Sequence, residues 1–83
     1  MKLKVGEFGH LSDLQKGQVG LVKGLHNHNP FIKRRLLDIG LTPGTVVECT
    51  FCNPGGNLIA YMIRGALIAI RDDDAKNILI EEI

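Results

Sequence analysis

The chain has no tryptophan, and aromatic residues fill only 5% of its 83 positions. Its core must therefore be aliphatic, and few rings are available to stack on nucleic-acid bases. An excess of one charge is also missing: ten Lys and Arg stand against nine Asp and Glu, a formal net charge of +1. No long-range field draws such a chain to DNA, RNA or an acidic membrane surface, and no nucleic-acid partner is expected. Two cysteines are too few for a disulfide framework. Long apolar runs are lacking as well. The longest, from about Leu58 to Ile70, is broken by Arg64 and Gly65 and falls short of a membrane span. Met1 to His10 carries Lys2, Lys4 and Glu7 and has no signal-peptide core. Direct membrane insertion is not expected, and the cytoplasm is the expected location.

Catalytic equipment is similarly sparse. Ser12 is the only serine and has no patterned base nearby. Asn53-Pro54-Gly55-Gly56-Asn57 lacks the Lys-Ser/Thr ending of a phosphate-cradling loop. The carboxylates of Asp72 to Asp74 are adjacent in sequence and cannot converge on one point. With no nucleophile and base to pair, no enzymatic activity is expected.

What is present organises around one stretch. Asn29 can cap a helix whose first position is Pro30, where a missing N–H costs nothing. Ile32, Leu36 and Ile39 recur at helical spacing, and Gly40 can close the helix in a left-handed conformation. Pro43 and Gly44 then suit the two corners of a type II turn. Around this helix the pattern predicts five short strands: Gln18 to His26, Thr45 to Cys52, Leu58 to Ile63, Ala66 to Ile70 and Ile78 to Ile83. Arg64 and Gly65 form a tight reversal between the third and fourth. Ser12 is a candidate cap for one helical turn, and Asp72 or Asp73 for a short helix before the last strand. Residues 1–10 read as a leader and 11–83 as a single domain, mainly β, a small barrel. A chain this short buries only roughly 60% of the surface that it exposes unfolded, so its stability margin is thin.

Three features could carry function. Cys49 and Cys52 have the spacing of half a zinc knuckle, but strand alternation sends them to opposite faces. Cys49 shares its face with Val47 and Phe51 and reads as a buried small hydrophobe. His26 and His28 are the better candidate metal ligands: if the strand continues through them, both imidazoles face one side and suit Fe²⁺ or Zn²⁺. The sequence supplies no third or fourth ligand to complete such a set, so no cofactor is required. The third feature is the helix surface. Arg34 and Asp38 point away from the apolar stripe, Lys33 and Arg35 flank it, and Leu37 lies off it. Either a neighbouring loop covers Leu37, or Leu37 sits exposed among Arg34 and Arg35 as a protein-contact surface.

Arg34-Arg35-Leu36-Leu37-Asp38-Ile39-Gly40-Leu41-Thr42-Pro43-Gly44 resembles the signature of the ferrous iron transport protein A (FeoA) family. A second block agrees: Gly65, then Leu67-Ile68-Ala69-Ile70-Arg71, an acidic run, Ala75, and Ile78-Leu79-Ile80-Glu81. The resemblance runs from about Leu11 to the C-terminus. It implies an SH3-like β-barrel and a cytosolic accessory role in bacterial ferrous iron uptake. The implied partner is the cytosolic part of a membrane ferrous iron transporter with a GTP-binding domain. The alternative is a metal-responsive module related to the barrel domain of iron-dependent repressors, although no helix-turn-helix portion accompanies it here. His26, His28, Cys49 and Cys52 lie outside the family pattern.

Overall fold

The computed structural model describes residues 3–26, 29–52 and 55–83, the side chain of Cys52 excepted. Six strands form one antiparallel sheet: β1 (Phe8–His10), β2 (Val19–Leu25), β3 (Val46–Cys52), β4 (Leu58–Ile63), β5 (Ala66–Arg71) and β6 (Ile78–Glu82). Their order across the sheet is β1-β6-β2-β3-β4-β5. Helix α1 (Pro30–Asp38) connects β2 to β3, and the single turn α2 (Asp72–Ala75) connects β5 to β6. The fold is mainly β, with one strand more than the sequence pattern predicts.

The additional strand is β1, whose Phe-Gly-His is too short to show alternation. It pairs with β6, Gly9 opposite Ile80. Ahead of it, the N–H of Gly6 donates to Glu82 O at 2.7 Å and Leu3 is only 5% exposed. The segment that reads as a leader is thus bound into the sheet from Leu3 onward.

The core follows the strand period. Val22, Val47, Cys49, Tyr61, Ile63, Ile70, Ile78 and Ile80 point inward, joined by Leu11, Leu14, Leu36 and Leu41 from the connections. Tyr61 is fully buried, and its hydroxyl donates to the carbonyl of Leu11 at 3.1 Å. Without that partner the phenol would cost roughly 1–3 kcal/mol in lost hydration.

Two register shifts bend the sheet, one in β2 between Val22 and Gly24, the other in β3 between Cys49 and Phe51. At the second, Thr50 is the extra residue of a bulge, and its hydroxyl donates to Ala60 O at 2.7 Å. The bulge shifts the alternation by one. Cys49 is buried as expected, but Phe51 pairs with Ala60 and stands 52% exposed.

Two caps also differ from expectation. Ser12 caps nothing; Asp13 Oδ2 instead accepts from the backbone N–H of His10 at 2.8 Å and holds the 3-10 turn Leu11–Asp13. Arg71 occupies the N-cap of α2 without a side-chain bond, and Asp72, Asp73 and Asp74 fill its first turn. There they still favour the positive end of the helix dipole. Among the described residues, no helix is long and apolar enough to cross a membrane.

Candidate interaction surface on the first helix

Helix α1 is positioned by local chemistry at both ends. Asn29 Oδ1 accepts from the N–H groups of Phe31 and Ile32, at 2.9 and 3.3 Å, and Pro30 takes the first helical position. At the far end the N–H of Gly40 donates to Leu37 O and that of Leu41 to Leu36 O. These two bonds form a Schellman motif, in which Leu36 and Leu41 make the accompanying apolar contact inside the core. Gly40 has φ of +110°, a backbone state that any β-carbon disfavours. The chain then turns at once: Thr45 N–H donates to Thr42 O at 3.1 Å across Pro43 and Gly44, and Gly44 has φ of +93°.

The turn is tied to the β4–β5 hairpin. Arg64 and Gly65 both have positive φ, +51° and +82°, as a two-residue hairpin of right-handed twist requires. From that corner Arg64 Nη2 donates to Thr42 Oγ1 at 3.0 Å and to Thr45 Oγ1 at 3.3 Å. Helix end, turn and hairpin corner are therefore one rigid unit.

Ile32, Leu36 and Ile39 hold α1 against the core, and Leu36 is 2% exposed. The opposite side is open. Lys33, Arg34 and Arg35 are exposed, Leu37 is half-buried, and Phe31 is 84% exposed. Phe31, Arg34 and Leu37 stand at i, i+3 and i+6 and form one ridge along the helix. The sequence pattern leaves Phe31 only marginally off the apolar face. Its place next to the N-cap, before the first inward residue Ile32, is the signal that it projects outward.

The basic residues are not equivalent. Arg34 Nε lies 3.6 Å from Asp38 Oδ1, but both side chains are largely in water and the pair contributes little. Arg35 Nη2 reaches Asp74 Oδ2 at 3.3 Å, and that carboxylate is only 11% exposed. The bridge joins α1 to α2 and separates two shallow grooves, one bordered by Leu36, Ile39 and Ala69, the other by Ile32, Arg71 and Asp73. Arg35 is thus partly committed within the molecule, and Lys33 makes no ion pair among the described residues.

Of the two candidate metal ligands, only His26 lies among the described residues. β2 ends at Leu25, and His26 is exposed, with its N–H donating to Asn77 O. His28 lies outside the described residues, as does the Cys52 side chain. Among the described residues no three His, Cys, Asp or Glu side chains group as a metal site. Elsewhere a cleft of about 540 Å³ is lined by Leu14, Lys16, Cys49, Phe51, Ile59 and Asp72 among others.

Comparison with known proteins gives a consistent picture. A model of the FeoA domain matches residues 9–82. A search by sequence among curated proteins finds no match. The solution structure of the FeoA protein of Chlorobium tepidum superposes with a TM-score of 0.83 at 28% identity, covering 89% of this chain and 70% of that one. The crystal structure of Stenotrophomonas maltophilia FeoA complexed with zinc superposes at 0.77 with 25% identity, covering 87% and 88%. That protein is described as a prokaryotic SH3 domain protein and a candidate ferrous iron transport activating factor. A manganese-dependent transcriptional repressor matches at 0.84 with 18% identity, over 92% of this chain but 37% of its own. At that identity the likeness is one of fold: the same SH3-like arrangement serves as part of a longer chain.

Proposed function

Because the chain belongs to the FeoA domain family, we propose that it is an accessory protein of bacterial ferrous iron uptake. It acts by contact, not by chemistry of its own. Its partner is the cytosolic part of a membrane ferrous iron transporter that carries a GTP-binding domain, and the contact supports or regulates transport. The observation that carries this reading is the exposed ridge of α1. Phe31, 84% in water, stands with the exposed Arg34 and the half-buried Leu37 as one mixed apolar and basic ridge, the make-up of a contact surface. Phenylalanine and arginine are among the residue types enriched in protein interfaces.

In this reading Phe31 and Leu37 supply the apolar contact and Arg34 the charged rim. Arg35 contributes less, because Asp74 already holds it. The rigid unit of Gly40, the Thr42–Thr45 turn and Arg64 keeps the ridge at a fixed angle to the sheet, so little ordering is needed on binding. The test is binding of the purified chain to the soluble domain of the transporter, together with ferrous iron uptake in cells lacking the native copy. Wild type should bind and restore uptake; Phe31→Asp should do neither while folding normally. Normal binding by Phe31→Asp together with Leu37→Asp would place the contact elsewhere.

A further inference from the structure

A second exposed apolar surface lies on the outer face of β3, β4 and β5, and the reading of α1 does not involve it. An antiparallel sheet with one solvated face ordinarily carries polar side chains there. Here the outward positions are Phe51 (52% exposed), Leu58 (41%), Met62 (37%) and Leu67 (56%). The register sets them in rows: Glu48 opposite Met62 and Met62 opposite Leu67; Phe51 opposite Ala60 and Ala60 opposite Ala69; then Leu58 opposite Arg71. Ala60 and Ala69 form a low centre between larger side chains. Glu48 and Arg71 stand at opposite corners of the strip, and neither makes an ion pair among the described residues.

This layout is self-complementary. With strands roughly 4.8 Å apart and alternate residues roughly 6.8 Å apart, Ala60 falls at the midpoint between Glu48 and Arg71. A two-fold axis lying along the face through Ala60 brings Glu48 over Arg71 of a second copy, and Arg71 over that copy's Glu48. The same operation sets Met62 over the small Ala69 and Phe51 over Leu58 of the other copy. The strands of the two sheets then cross steeply, as in orthogonal sheet packing. An isologous contact needs this reciprocity, each residue meeting a partner that it also serves. From these observations we propose that the outer face of β3–β4–β5 docks a second copy of this chain in a symmetric dimer. The strip spans three short strands, so the dimer forms reversibly.

Sedimentation equilibrium of the purified chain, from micromolar to submillimolar concentration, tests this. Wild type should associate reversibly to a dimer. Met62→Lys should raise the dissociation constant at least about tenfold, with its thermal melt near that of wild type. Glu48→Arg and Arg71→Glu should each weaken the dimer by placing like charges together, and the double exchange should restore it. A chain that stays monomeric throughout would overturn the proposal. So would a dimer indifferent to both charge reversals, because its contact would lie on another face. Loss of dimer in Met62→Lys without recovery in the double exchange would overturn the two-fold register.

Discussion

The side chain of Arg64 covers the α-carbon of Gly40: a β-carbon built there would stand 3.0 Å from Arg64 Cδ and 3.1 Å from Nε. Two demands therefore meet at one residue, since Gly40 must also hold φ at +110°. Gly40→Val should destabilise the domain by about 1–3 kcal/mol, a large part of what a small domain has. Gly40→Ala should cost less, because it adds no β-branch, although its β-carbon still meets Arg64 and Ile63 Cγ2, at 3.2 Å, at the same positive φ. Thermal melts of the two variants check this. Equal melts for Val, Ala and wild type would mean that the helix can end without the left-handed residue.

Leu37 and Phe31 separate stability from binding. Phe31 is almost wholly in water, so Phe31→Asp should change stability by less than about 0.5 kcal/mol. Leu37 is half-buried, and Leu37→Asp should cost about 1 kcal/mol. Each should weaken transporter binding at least about tenfold if it is desolvated in the contact. Arg34→Glu should act in the same direction, and its effect should shrink in high salt, which screens a rim charge. Binding measured at low and high salt, beside a melt of each variant, distinguishes the roles.

The Arg35–Asp74 bridge should contribute little as a pair. Arg35 is 62% exposed, and solvent screens most of its attraction. A double-mutant cycle with Arg35→Ala and Asp74→Asn should return a coupling below about 1 kcal/mol. A coupling of several kcal/mol would make the bridge a principal tie between the two helices.

Metal binding is a further test, since the Stenotrophomonas maltophilia protein was crystallised as a zinc complex. The isolated chain should show no tight stoichiometric Fe²⁺ or Zn²⁺ site in calorimetry, because the sequence pattern assembles no tetrahedral ligand set and, among the described residues, no three His, Cys, Asp or Glu side chains group together. Submicromolar binding that disappears when His26 and His28 are both replaced by Ala would contradict this. It would also favour the metal-responsive alternative.

The parts of this fold that were legible in the sequence are those whose causes lie within a few residues. Asn29, Pro30 and Gly40 sit inside the same short stretch as the helix that they delimit, so its limits can be read locally. The hairpin of β4 and β5 is equally local, its two strands joined by Arg64 and Gly65. What escaped depends on distant partners. β1 exists because β6, some seventy residues later, offers it an edge. The bulge at Thr50 exists because the sheet must bend, and the strand sequence Val-Glu-Cys-Thr-Phe gives no sign of it. At the candidate site, the basic cluster was visible but its division was not. Arg35 and Asp74 are 39 positions apart, and nothing in the helical pattern tells one arginine from the other.

The bonds that tie Gly6 and Glu7 to Glu82 bring the two ends of the folded unit to one place on β6. A domain whose entry and exit coincide can be spliced into a loop of another protein, or fused at either end, with the same small disturbance. Its ends can also be joined by a short linker and reopened elsewhere, with the sheet unchanged. For a module whose fold also forms part of a longer repressor chain, that geometry makes reuse easy: a host has only to supply two anchoring points side by side.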